Sequence, residues 1–113
     1  MRKLYLTLAV AAVAVVGVLA LGGVAGAKGS TTIKLLSETF SPSEKSISAG
    51  TKVKFNWVDG KHNVVKSKGP GGSFASGTTS ATGVNFTKKF STAGTYKIIC
   101  TIHEDMKLKL KVN

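Results

Sequence analysis

Alternation of apolar and polar residues dominates the chain from residue 31 onward. The segment TKVKFNWV (51–58) has an apolar residue at every second position, and MKLKLKV (106–112) repeats this pattern with lysines between. A period of two is typical of a β-strand with one buried face. Four further segments are strand candidates: TTIKLL, HNVVKS, VNFTKKF and TYKIIC. The same region lacks the periodicity of an amphipathic helix.

Turn signals separate the candidate strands. They are Ser48-Ala49-Gly50, Asp59-Gly60, Gly69-Pro70-Gly71-Gly72 and Ala93-Gly94. Short strands with such frequent turns are typical of an antiparallel sandwich or barrel, and the lysines of the alternating segments then face water. Residues 67–81, rich in glycine and serine, predict a long surface loop. We therefore predict an all-β fold of about seven to eight strands.

The N-terminal segment, residues 1–27, has the pattern of a signal peptide. Arg2 and Lys3 precede an apolar run over residues 4–21, and Ala25-Gly26-Ala27 is a small-residue cleavage pattern. Retention of this run as an uncleaved membrane anchor is the alternative, because about 20 apolar residues span a bilayer. Residues 28–113 form the remaining domain. We expect it to be exported to the periplasm, the cell surface or the exterior.

The chain is strongly basic, with 16 Lys and Arg against 5 Asp and Glu and a formal net charge of +11. Such a charge favours acidic partners or anionic surfaces. Both the exported location and the lack of arginine beyond Arg2 argue against nucleic-acid binding. We expect membrane contact only through the N-terminal segment, if that segment is retained.

A lone cysteine points to a metal site. Cys100 has no disulfide partner in the chain, and an exported thiol is prone to oxidation unless it is buried or bound to metal. The segment CTIHEDM (100–106) adds His103 and Met106 within one connection between two candidate strands. His62, the only other histidine, lies in the turn after TKVKFNWV. Loops at one end of a sandwich meet, so the four side chains can converge.

Two imidazoles, a thiolate and a weak thioether are the ligands of a blue-copper electron-transfer site. The sequence thus predicts one copper ion, cycling between Cu(II) and Cu(I), at His62, Cys100, His103 and Met106. A module that holds or delivers copper or zinc without redox cycling is the alternative, since zinc also accepts two histidines and a cysteine. An oxidase would need more histidines and a two-copper centre a second cysteine, so we do not predict an enzyme.

Two long segments resemble the cupredoxins, and among them plastocyanin and amicyanin. These are FSPSEKSISAGTKVKFNWVDGKHNVV (40–65) and FSTAGTYKIICTIHEDM (90–106), and the Cys-x-x-His-x-x-Met spacing is similar to that of amicyanin. The resemblance implies a Greek-key β-sandwich and the same four copper ligands. It also implies that Asn63 ties the two ligand loops together near the cysteine sulfur. Ile102 stands where the family often has proline.

The same resemblance implies how electrons are exchanged. They would pass through the edge of His103, where apolar residues form a docking patch for a redox protein donor and acceptor. Lysines around that patch would select acidic partners. We expect the carrier to be a monomer.

Overall fold

The computed structural model describes residues 29–113, and the regular structure in that part of the chain is entirely β-strand. The eight strands confirm the predicted all-β sandwich: β1 Ser30–Leu35, β2 Phe40–Ser41, β3 Glu44–Ile47, β4 Thr51–Trp57, β5 Val65–Lys68, β6 Gly83–Phe90, β7 Gly94–Ile99 and β8 Lys107–Val112. The predicted signal segment lies outside the described residues. Among residues 29–113, a helix with the length and apolar character needed to cross a membrane is not found.

The strands form two four-stranded sheets. The first sheet has the order β2-β1-β4-β6, and the second has the order β3-β8-β7-β5. Two pairings, β1 with β4 and β3 with β8, are parallel, whereas the other pairings are antiparallel. The sandwich is therefore antiparallel, as expected, except at these two pairings. The reason is that the chain crosses from the first sheet to the second between β2 and β3, so that sequential strands are not neighbours there.

The core lies between the two sheets and follows the alternation read from the sequence. In β4 the buried positions are Thr51, Val53, Phe55 and Trp57, and in β8 they are Leu108, Leu110 and Val112. The lysines between them are exposed, as predicted. Trp57 lies at the end of β4 and is almost fully buried, and its Nε1 donates to the carbonyl oxygens of His62 (3.3 Å) and Thr79 (3.0 Å).

The long loop between β5 and β6 is pinned at both of its ends. Near β5, Lys66 Nζ donates to the carbonyl oxygens of Pro70 (2.6 Å), Gly71 (2.8 Å) and Gly72 (3.1 Å). Further along, the loop forms a bridge in which the His62 and Thr79 backbones exchange hydrogen bonds of 3.0 and 3.1 Å. The loop therefore supports the backbone of a predicted ligand.

Replacing Lys66 with methionine should loosen this loop. Three carbonyls would lose a charged donor, and we expect the free energy of unfolding to fall by about 1 kcal/mol. Urea unfolding measures this change, and hydrogen exchange should show faster exchange in residues 69–79.

The matched control is Lys68→Met, two positions along the same strand, where the side chain is exposed. It should change stability by less than about 0.5 kcal/mol. Equal effects of the two substitutions would contradict the role given to Lys66.

Candidate metal centre

Three predicted ligands meet at one end of the sandwich. His62 follows β4, whereas Cys100 and His103 lie in the connection from β7 to β8. Cys100 Sγ is 3.8 Å from Nδ1 of His62 and 3.8 Å from Nδ1 of His103. The candidate donor atoms of the three residues all lie within 4.8 Å of one another. His62 and Cys100 are buried, and His103 is half-buried.

These distances fit a bound metal ion. A metal ion binds nitrogen at about 2.05 Å and sulfur at about 2.3 Å. With an angle of about 120° between the two bonds, the nitrogen and sulfur atoms are about 3.8 Å apart. The observed sulfur–nitrogen distances, 3.8 Å each, agree with that value. The two sulfur–nitrogen distances therefore fit a trigonal arrangement of two imidazoles and one thiolate.

The orientation of the His62 ring is fixed by a backbone carbonyl. Nε2 lies 2.5 Å from the Asp59 carbonyl oxygen. Because a carbonyl only accepts, Nε2 must carry the hydrogen, which leaves the lone pair on Nδ1 facing Cys100. A metal-bound histidine is commonly held in place by such a hydrogen bond from the ring nitrogen that does not bind the metal.

Gly60 allows this carbonyl contact. Its φ is +90°, a conformation that favours glycine. A methyl group at this position would lie 3.1 Å from His62 Nε2 and 3.6 Å from the Ser37 carbonyl oxygen. The Asp59-Gly60 pair was predicted as a turn, but the sequence carried no signal that this turn also positions a ligand.

The connection from Cys100 to Met106 is closed by its own backbone. Cys100 N donates to the Met106 carbonyl oxygen, and Met106 N donates to the His103 carbonyl oxygen, each at 3.0 Å. These bonds hold the three residues in one tight turn. Met106 is fully buried, and its role as the fourth ligand stays a prediction.

Asn63 joins the two segments that carry the predicted ligands. Its Oδ1 accepts from Thr101 N at 2.8 Å, and its Nδ2 donates to Thr101 Oγ1 at 2.8 Å and to Thr78 Oγ1 at 3.4 Å. Thr101 is adjacent to Cys100, so this contact fixes the backbone beside the thiol. Nothing in the sequence pattern indicated Thr101 or Thr78.

The charges around this end differ from the expected ring of lysines. Leu35 accepts hydrogen bonds from the nitrogens of Val58 and Asp59, so the loop after β1 lies beside the turn after β4. Together with the connection from β7 to β8, these two loops carry four of the five acidic residues of the sequence and only one lysine. The residues are Glu38, Asp59, Glu104, Asp105 and Lys61.

Exposed apolar side chains also occur at this end. Val58 is 45% exposed and Ile102 is 42% exposed, each in a loop that carries a predicted ligand. Val84, 51% exposed, lies on β6 opposite Asn56, near the same end of β4. Exposed apolar side chains and acidic residues therefore both occur at the end of the sandwich that carries half-buried His103.

Comparison with known proteins identifies the class of protein. The family described as copper binding proteins, plastocyanin/azurin family, matches residues 27–113. The chain belongs to this family, and its cofactor is copper. The predicted assignment to the cupredoxins is thereby confirmed. No curated protein sequence matches the chain.

Solved cupredoxin structures resemble the fold. A mutant amicyanin in its reduced form is 21% identical, with a TM-score of 0.66 and coverage of 74% of this chain and 82% of that chain. A mutant plastocyanin of fern is 29% identical, with a TM-score of 0.62 and coverage of 74% and 100% respectively. A copper-containing nitrite reductase from Thermus scotoductus is 26% identical, with a TM-score of 0.62 over 73% of this chain. The chain spans only 22% of that reductase's length.

Replacing Gly60 with alanine should disturb the metal centre. The added methyl group would press on His62 Nε2 and displace the ring from the Asp59 carbonyl. We expect copper affinity to fall roughly tenfold to hundredfold, as for other losses of support around a metal ligand. Competition with a copper chelator measures the affinity.

Gly77→Ala is the matched control. Gly77 also has a positive φ, +82°, but a methyl group there would meet nothing within 4 Å. The control should carry the same kind of backbone strain and keep copper affinity near that of the unsubstituted protein. An equal loss in both variants would show that strain alone, and not pressure on His62, is responsible.

Proposed function

We propose that the protein is an exported type 1 copper protein that carries single electrons between redox partners. The observation that supports this best is the convergence of two imidazole nitrogens on one buried thiol sulfur, each 3.8 Å from it. Met106, buried at the end of the same turn, is the proposed weak fourth ligand. Export rests on the predicted signal segment.

His62, Cys100, His103 and Met106 would hold the ion, and bound copper would supply a one-electron couple. The chain's own contribution is to keep these donors still. The Asp59 carbonyl fixes the His62 ring, and Asn63 fixes the backbone beside Cys100. Donors that move little between oxidation states keep the reorganisation on electron transfer small.

Half-buried His103 gives the proposed route for the electron. His62 and Cys100 are buried, so among these three residues His103 has the most access to a partner. Val58 and Ile102 offer apolar contact at the same end. A small apolar contact of this kind suits a brief encounter between redox proteins.

The proposed partners are a redox protein donor and a redox protein acceptor. Electrostatic forces act on them in two ways, at long range through the net charge and at the contact through local charges. The net charge of +11 attracts an acidic protein at long range. At the contact itself, the acidic residues Glu38, Asp59, Glu104 and Asp105 match basic groups. The proposed acidic partner thus needs basic residues where it meets His103.

The light absorption of the copper-loaded protein tests the redox proposal. Added Cu(II) should give an intense visible band from thiolate-to-copper charge transfer and an electron spin resonance spectrum with narrow hyperfine splitting. Cys100→Ser should abolish the band, whereas Thr101→Ser, its neighbour, should keep it. Met106→Leu should keep the band and change the reduction potential.

A different outcome would favour the non-redox alternative. The two histidines and the cysteine also suit zinc. A colourless protein that binds Zn(II) as tightly as copper, and that cannot be reduced and reoxidised, would refute the electron carrier. A visible band that survives Cys100→Ser would refute the proposed ligands.

Neutralising Glu104 should weaken contact with basic groups. The carboxylate lies two residues from Met106 in the contact region. We therefore expect Glu104→Gln to slow electron transfer at low salt by severalfold when the partner is a haem protein with basic residues around its exposed haem edge. Stopped-flow mixing measures the rate.

Glu44→Gln removes the same charge from β3, away from the metal centre. It should change the rate much less, and the two variants should converge at high salt. Equal slowing by both would indicate that only net charge matters.

A further inference from the structure

The outer face of the first sheet carries lysines from three adjacent strands. We name this set the lysine face: Lys34 on β1, Lys52 and Lys54 on β4, and Lys89 on β6. All four side chains are exposed and alternate with residues that pack inward, such as Ile33, Val53 and Phe90. The strands of this sheet contain no aspartate or glutamate.

Repulsion within the lysine face is uncompensated. Lys52 lies directly opposite Lys89 in the pairing of β4 with β6, and like charges in that position destabilise a sheet. The second sheet has repulsion of the same kind, since Lys97 lies opposite both Lys109 and Lys68, but there Glu44 on β3 also lies opposite Lys109. An external anionic surface would therefore relieve repulsion at the lysine face, whose own strands supply no opposite charge.

The acidic residues set the orientation. Glu38, Asp59 and Glu104 lie in loops at the metal end, away from the start of β4 where Lys52 and its partner Lys89 are placed, whereas Lys34, opposite Asn56, lies nearer that end. An anionic surface would attract the lysine face and repel the metal end. The domain would then lie on the surface without covering His103.

The start of the described chain identifies the kind of surface. The Gly29 carbonyl oxygen accepts from Lys52 N at 3.2 Å, so the chain enters the domain beside the lysine face. Seven residues, 22–28, separate Gly29 from the apolar run over residues 4–21. Seven residues reach at most about 25 Å. A membrane that holds the apolar run would thus have the Lys52 edge of the lysine face within that distance.

We propose that the lysine face binds an anionic phospholipid membrane and leaves the metal end exposed to partners. This inference goes beyond the proposed redox function and does not depend on it. Each lysine near an anionic bilayer raises the affinity roughly fivefold. Four lysines on one flat face are therefore enough for reversible, salt-sensitive binding.

The test uses the full chain, with whatever N-terminus it carries after export. Vesicles of phosphatidylcholine alone are compared with vesicles containing about 30% phosphatidylglycerol, a composition chosen to give a negative surface. Brief acetylation followed by mass spectrometry reports which lysines are covered. We expect Lys34, Lys52, Lys54 and Lys89 to be protected on anionic vesicles only, and protection to disappear at high salt.

Two matched variants test the same point by affinity. Replacing the four lysines of the lysine face with glutamine should weaken the preference for anionic vesicles by on the order of a hundredfold. The control replaces four exposed lysines of the second sheet with glutamine, and it should weaken the same preference by less than about tenfold. These lysines are Lys68, Lys97, Lys109 and Lys111. Acetylation shows which face of the domain is covered by the membrane. It therefore tests the proposal even where the apolar run inserts into both kinds of vesicle.

Several results would overturn the proposal. Equal losses in the two variants, or equal protection of both sets of lysines, would indicate attraction by net charge alone. Protection by soluble polyglutamate but not by anionic vesicles would assign the face to an acidic protein instead. The Cys100→Ser variant should bind vesicles normally, which separates this test from that of the redox function.

Discussion

The paired hydrogen bonds between Asn63 and Thr101 are the constraint on which the metal centre depends. They join the segment after β4 to the segment after β7, residues 38 positions apart in the chain. Asn63 is adjacent to His62, and Thr101 is adjacent to Cys100. One side chain thus sets the distance between the loops that carry the imidazole and the thiol, and each sheet of the sandwich supplies one of those loops.

The parts of the fold that the sequence predicted well are those with regular alternation. β4 and β8 have buried and exposed residues at alternate positions, so their faces were evident. β2 and β3 were not indicated, because they are only two and four residues long and lack a repeated pattern. The predicted strand HNVVKS begins three residues before β5, which starts at Val65. His62 forms only an isolated bridge with Thr79 and is not part of the strand.

The candidate site could be predicted in its donors but not in its supports. Cysteine, histidine and methionine are rare in this chain, so their spacing carried information. The groups that orient them are backbone atoms or common side chains: the Asp59 carbonyl, Gly60 and Thr101. Such contacts depend on how distant loops pack, which no local pattern reveals. The same holds for the acidic loops, because the net charge of a chain does not show how its charges are distributed over one end of the fold.

The unequal burial of the two imidazoles has a consequence for how the site is filled. His62 and Cys100 are closed off by the sandwich, and His103 alone of the three donors is partly exposed. A metal ion would then enter and leave past His103, the side also proposed for electron exchange. A protein that delivers copper and a protein that takes up electrons would compete for the same few square ångströms. Copper loading and the proposed electron exchange would then exclude each other in time.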